Sequence, residues 1–167
     1  MLSAPKGNLI TNGDFEEGAP GAPPVDWISA NVLTVGDCLA FTGKQAASLG
    51  GADPPCPAVL YQDVSVTPLH RYQLSFQLGV NQTPGADLIV EVRWLDHFCT
   101  DAGPGLSVFI SGASSPNAAA GSWDAQAHLT ECAPICTCMA RVLFSRSPRP
   151  NGTDPNIVDA VVFADVT

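Results

Sequence analysis

Four positions in this chain have the chemistry to hold a hard cation. Glu16 and Glu17 follow the Asn12-Gly13 pair, Asp159 sits in Val158-Asp159-Ala160-Val161, and Lys44 ends the loop Thr42-Gly43-Lys44. Ca2+ takes about six to eight oxygens and often mixes carboxylates with backbone carbonyls. Glu16 or Glu17 would supply one carboxylate, Asp159 a second, and the Lys44 loop its carbonyls. Asn-Gly tolerates positive φ, so the chain can bend there. Phe15 then returns to the interior and leaves the acids near the bend. A structural Ca2+ is the expected cofactor.

The second chemical group is sulfur. The six cysteines are Cys38, Cys56, Cys99, Cys132, Cys136 and Cys138. An even count in or near loop-like segments predicts disulfides and an oxidising location, with the pairing left open. Cys136 and Cys138 are two apart and share one side of a strand. They are not expected to bond each other, which leaves one able to bond across a subunit boundary. His97-Phe98-Cys99 and Cys132-x3-Cys136-x-Cys138 do not have zinc-knuckle spacing, so disulfides are expected over zinc. His70, His97 and His128 come with no nucleophile elbow and no His-x-x-x-His pair, so no enzyme is expected.

The third group could recognise a sugar. In Arg71–Val80, Tyr72, Leu74, Phe76 and Leu78 alternate with Gln73, Ser75 and Gln77. In Leu88–Leu95, Leu88, Val90, Val92 and Trp94 alternate with Glu91 and Arg93. Period-two alternation marks half-buried strands. If these strands pair, Gln73, Gln77, Glu91, Arg93 and Arg141 make one polar sheet face, suited to a glycan or to a neighbouring subunit. Trp123, beside Gly121 and Ser122, is the expected exposed aromatic for stacking on a sugar ring.

Strands must position all of these groups. Candidates are Leu9–Ile10 with Phe15, Ile28–Thr34, Ala46–Leu49, Val59–Val66, Tyr72–Val80, Leu88–Leu95, Leu106–Ile110, Ala125–Thr130, Cys138–Ser145 and Val158–Val166. Turn clusters rich in Gly and Pro separate them, including Thr100–Gly105 and Gly112–Ser122. The only helix-friendly stretch, near Ala118–Ala120, is bracketed by Pro116 and Gly121. So many short strands predict an all-β, antiparallel two-sheet jelly-roll β-sandwich. The expected organisation is an N-terminal arm over residues 1–7 and a single domain over residues 8–167.

Composition narrows the partners. The net charge is −9, from 16 acidic and 7 basic residues. Such a chain repels phosphate backbones and anionic membranes, so neither is an expected partner. No apolar run approaches the roughly 18 residues of a membrane span. Met1-Leu2-Ser3-Ala4-Pro5-Lys6 lacks the pattern of a signal peptide. The expected location is extracellular or at a cell or spore surface, reached without a recognisable leader.

Several motifs resemble jelly-roll carbohydrate-binding modules. They are Asn8-Leu9-Ile10-Thr11-Asn12-Gly13-Asp14-Phe15-Glu16, Trp27, Gly43 through Ala47-Ser48-Leu49, Leu60-Tyr61-Gln62-Asp63-Val64 and Tyr72-Gln73-Leu74-Ser75-Phe76. Val158-Asp159-Ala160-Val161 looks like that family's final strand, whose Asp helps bind a structural Ca2+. Trp27-Ile28-Ser29-Ala30-Asn31-Val32 and Ala46-Ala47-Ser48-Leu49-Gly50-Gly51 are similar to modules that precede collagen-like repeats in spore-surface proteins. This chain has no collagen repeat of its own. The leading functional expectation is a non-enzymatic structural subunit of an extracellular or spore-surface assembly, a disulfide-stabilised filament joined by strand or arm exchange. The alternative is a carbohydrate-binding module with a structural Ca2+ site, using Gln73, Gln77, Glu91, Arg93 or Trp123.

Overall fold

Alternating burial runs through the longer strands, and it separates a core face from an outer face in each sheet. The computed structural model describes residues 7–81, 84–148 and 154–167. Among the described residues ten strands form an antiparallel two-sheet jelly-roll sandwich. They are β1 (Ile28–Ala30), β2 (Val32–Val35), β3 (Ala46–Leu49), β4 (Ala58–Ser65), β5 (Tyr72–Val80), β6 (Leu88–Asp96), β7 (Asp101–Ile110), β8 (Asp124–Leu129), β9 (Thr137–Arg146) and β10 (Asn156–Asp165). The first sheet runs β1-β4-β9-β6-β7 and the second β2-β3-β10-β5-β8. Of the expected arm, only Gly7 lies within the described residues.

The core is an aromatic chain between the sheets. Phe15 lies 5.4 Å from Trp27, Trp27 lies 6.4 Å from Phe144, and Phe144 lies 5.1 Å from Phe76 edge-on. Tyr72 stacks on Phe163 at 5.0 Å and leans on Trp94 at 6.0 Å. Leu74, Leu78, Leu88, Val90 and Val92 fill the space between them, all fully buried. Both expected apolar faces, on β5 and β6, therefore point inward.

Three elements depart from the sequence reading. The run Ile28–Thr34 is two strands in different sheets, because Asn31 adopts φ +56° and turns the chain between them. The expected turn Thr100–Gly105 is mostly strand: β7 begins at Asp101, pairs Gly103 and Pro104 with Trp94 and Arg93, and passes over Ala102 and Gly105 at two register shifts against β6. Residues 8–15 form no ladder strand, although Leu9 still donates to the Phe163 carbonyl at 2.8 Å. Ala118–Ala120 is a single 3-10 turn, with Gly121 at φ +76° closing it.

The N-terminal segment docks on the last strand at its irregularity. The register of β10 against β5 shifts between Asp159 and Val162, with Ala160 at φ +51°. Asn8 accepts from the Phe163 N–H at 2.9 Å and donates to the Val161 carbonyl at 3.0 Å. The Val161 N–H donates to the Gly13 carbonyl at 2.8 Å. A Cβ on Gly13 would lie 2.1 Å from the Val161 carbonyl oxygen, so only glycine permits this approach.

Candidate functional site

The outer face of the first sheet gathers the charged side chains into rows. Strand register places Asp63, Arg141 and Arg93 side by side across β4, β9 and β6. The next row is Tyr61, Leu143, Glu91 and Ser107, and the third is Val59, Ser145, Ile89 and Phe109. On β4, β6 and β9 these positions alternate with buried core residues, and on β7 with the partly buried Leu106, Val108 and Ile110, which fixes their outward direction.

Hydrogen bonds lock the charged row. Arg141 grips Asp63 through two parallel bonds, Nε to Oδ1 at 2.7 Å and Nη2 to Oδ2 at 2.8 Å. This forked geometry is the strongest form of ion pair and orients both planes. The Arg141 guanidinium also lies 4.2 Å from the centre of the Tyr61 ring. Arg93 bonds Asp101 through Nε at 3.0 Å and Glu91 through Nη1 at 3.4 Å. The Arg93 hydrogen bonds, helped by the Gly103 N–H, hold the Asp101 carboxyl below its usual value. Hydrogen bonding to Asp63 and to Asp101 likewise raises Arg141 and Arg93. The face is thus a fixed lattice of donors and acceptors, flanked by Tyr61 on one side and by an exposed Phe109 on the edge strand.

The expected polar face is split between the sheets. Glu91, Arg93 and Arg141 share the first sheet, whereas Gln73 and Gln77 lie on β5 in the second. Gln73 and Gln77 are flanked there by Leu129 and Ala125 of β8. Sequence pattern sets the face of a residue on its strand, but strand order decides which faces coincide. Trp123 is not an open platform either. It is half-buried, packs edge-on against Phe41 at 5.6 Å, and joins the small cluster of Ala46, Ala118 and Ile157. Asp63 and Phe109 were not singled out from sequence. The alternation of β4 is obscured by Gln62, which is buried because its amide bonds Thr11 and the Asp26 carbonyl.

The carboxylates expected to hold a cation lie around one loop. The Asp159 Oδ2 accepts the Phe41 and Thr42 N–H groups at 2.8 and 3.0 Å. The Glu16 Oε1 accepts the Lys44 and Gln45 N–H groups at 2.7 and 2.8 Å. Gly43, at φ +61°, sits against Glu16, where a Cβ would come within 2.4 Å of that oxygen. Asp159 is fully buried, and burial pushes its pKa up to about 6, with the negative Glu16 adding to the rise. Both acids face one glycine-walled loop, which presents backbone N–H groups and not the expected carbonyls to them, so a Ca2+ there would have to use the remaining lone pairs of Glu16 and Asp159. Glu17 is exposed, and its N–H is taken by Asn12. Among the described residues no three acidic, histidine or cysteine side chains converge, so backbone carbonyls and water would complete any such shell.

All six cysteines are free thiols here, five exposed and Cys138 half-buried, so the expected disulfides are not formed in this structure. A groove of about 650 Å3 lies beside β2, lined by residues such as Leu33, Val35, Leu39 and Ile157. Among the described residues that line it none is charged, so it suits polyol recognition less well than the charged face.

No known family pattern matches the chain, and no curated protein matches it. Solved structures do match. A family 61 carbohydrate-binding module, solved with β-1,4-galactotriose, superposes with a TM-score of 0.64 at 17% identity, over 96% of this chain and 99% of the module. A family 16 carbohydrate-binding module superposes at 0.65 and 18% identity, over 94% and 99%. The enzymatically active domain of tailspike protein 4 from bacteriophage CBA120 superposes at 0.73 and 15% identity over 95% of this chain, but the chain spans only 21% of that protein. The fold is therefore the β-sandwich seen in carbohydrate-binding modules. Among the described residues no helix is long and apolar enough to cross a membrane.

Proposed function

We propose that this protein is a non-catalytic carbohydrate-binding module whose glycan lies across the outer face of the first sheet. The observation that carries the reading is the locked row Asp63–Arg141–Arg93–Asp101, with Tyr61 one row away on β4 and the exposed Phe109 two rows away on β7, both toward the same end of the sheet. Carboxylate and guanidinium forks present paired acceptors and donors to vicinal hydroxyls, and they are already held in position. Tyr61 and Phe109 offer apolar surface to the C–H faces of sugar rings. They stand three strand spacings apart, about 14 Å, which favours an extended oligosaccharide over a single sugar. Nearly whole-length similarity to binding modules supports the same reading.

A panel of neutral polysaccharides, run by affinity electrophoresis with titration calorimetry on any hit, tests this. Arg141→Ala and Phe109→Ala should each weaken binding about tenfold or more, the cost of roughly 1.4 kcal/mol. Gln77→Ala should leave it unchanged. Binding lost with Gln77→Ala but retained in Arg141→Ala would move the site to the other sheet.

Glu16 and Asp159 would hold a structural Ca2+ that ties the loop of residues 41–45 to β10. Millimolar Ca2+ should then raise the melting temperature and a chelator should reverse the rise. An unchanged melting temperature would reject the cation.

The second reading is a subunit of a larger extracellular or spore-surface assembly. Its support is the set of exposed thiols, which no internal disulfide occupies.

A further inference from the structure

The outward positions of an antiparallel sheet with one solvated face are ordinarily polar. On the first sheet only the charged row keeps that pattern throughout. Ile28 and Ala30 of β1 pair directly with Tyr61 and Val59 of β4, and so extend the other two rows by one strand. The second row then reads Ile28, Tyr61, Leu143, Glu91 and Ser107. The third reads Ala30, Val59, Ser145, Ile89 and Phe109. Ile28 is 59% exposed, Ile89 37% and Phe109 66%. Single exposed aliphatics are ordinary, but a contiguous band of them marks a contact. The Arg141 guanidinium over the Tyr61 ring joins this band to the charged row, so both belong to one surface.

The chemistry of the band excludes most glycan substituents. Among the described residues neither row holds a cation, so a uronate, sulfate or phosphate would lose its hydration and gain no counter-charge. The one acid, Glu91, is already bonded to Arg93 at 3.4 Å, which leaves little for an amine. Bare hydroxyls fit no better, because an aliphatic side chain takes away their water and returns no hydrogen bond. One polar side chain stands in the third row. Ser145 lies between Val59 and Ile89, one strand spacing (about 4.8 Å) from each, and its hydroxyl can donate. Those cross-strand partners carry no base, which suits Ser145 to hold a carbonyl and not to attack one.

We infer that the glycan bound on this face is O-acetylated. An acetyl ester joins a methyl group to a carbonyl and carries no charge. The Ser145 hydroxyl donates to the ester carbonyl, and the methyl group packs against Val59 or Ile89. The second row lies midway between the other two, two residues or about 6.6 Å along the strands from each. A sugar chain lying along that row has its hydroxyl edge over Arg141 and Arg93 and its esterified edge over Ser145. The band and the charged row thus take the two edges of one ligand. The assignment rests on the glycan reading and narrows it, since it names the substituent that separates the ligand from a bare polysaccharide.

The test gives the full chain one backbone with and without the ester. Each polysaccharide of the neutral panel is used bare and after partial chemical O-acetylation, beside natural acetylated xylan before and after mild alkaline de-acetylation. Affinity electrophoresis with titration calorimetry should show the acetylated form of the preferred backbone bound about tenfold tighter, the gain from one buried methyl group and one hydrogen bond. Ser145→Ala and Ile89→Ser should each cut that ratio about threefold, whereas Gln77→Ala should preserve it. Equal affinity for the two forms, with binding still weakened in Arg141→Ala, would overturn the acetyl assignment and leave the glycan reading standing. A ratio unchanged in Ser145→Ala would mean that any methyl group suffices, and would overturn the ester. Binding of no polysaccharide in either form would overturn the assignment together with the glycan reading.

Discussion

Asp159 shows how one buried carboxylate sets a pH dependence. Its folded pKa is about 6, against an ordinary 3.8, because burial penalises the charged form more than the surrounding amides favour it. The folded chain therefore binds this proton more tightly than the unfolded chain. The resulting stabilisation is complete below pH 3.8 and is lost as pH rises through about 6. The loss is on the order of 3 kcal/mol, from roughly two pKa units at 1.36 kcal/mol each. Urea unfolding of the metal-free chain at pH 4.5 and pH 7 should show this carboxylate's share as a difference between the parent and Asp159→Asn. In that variant the slope should flatten and the response to Ca2+ should vanish. An equal pH slope in parent and variant would place the titrating group elsewhere.

Asn31 does the work of a corner between β1 and β2. Its left-handed φ of +56° sends the two halves of one apparent strand into opposite sheets. Its side chain also accepts from the Asp53 N–H at 2.7 Å and donates to the Asp53 and Pro57 carbonyls at 2.8 and 3.1 Å. Asn31→Ala should lose both the tolerance and the bonds, about 2–3 kcal/mol in denaturant unfolding. Asn31→Gly keeps the tolerance and should recover roughly 1 kcal/mol of that. If the two variants were equally unstable, the bonds alone would account for the corner. The residues around Asn31 explain what sequence could and could not show. Ile28–Thr34 has strand composition throughout, and nothing in its periodicity separates two sheets. Strands β5 and β6 were legible because long period-two alternation is a local signal. The ligand face was only partly legible: Glu91 and Arg93 were named from one strand, but their meeting with Asp63 rather than with Gln73 and Gln77 depends on the non-local order β4-β9-β6. Pro104 and the two glycines around it read as a turn because the edge-strand irregularities that tolerate them are set by pairing.

The sandwich is closed by its N-terminal segment, which touches both sheets without being a strand of either. Asn8 binds β10 in the second sheet, and Thr11 donates to the side chain of Gln62 on β4 in the first at 2.9 Å. Between them Phe15 begins the aromatic chain of the core, fully buried. Removing the segment would therefore open the core, strand the buried Gln62 amide and leave the irregular part of β10 with unpaired backbone groups. Each such buried group costs about 1–3 kcal/mol, and several together match the whole stability of an ordinary domain. A chain beginning at Glu16 should consequently lose its cooperative thermal transition. Asn8→Ala, which removes the two side-chain bonds to β10 and the one accepted from the Ile10 N–H, should cost about 1–3 kcal/mol and keep the transition sharp. Hydrogen exchange locates the effect: the Phe163 amide, which donates to Asn8, should lose protection in Asn8→Ala before the Leu74 and Val92 amides do. Uniform loss across all three would mean that the segment is coupled to global unfolding and not to a local seam. A cooperative melt in the chain beginning at Glu16 would show that the two sheets hold together without it.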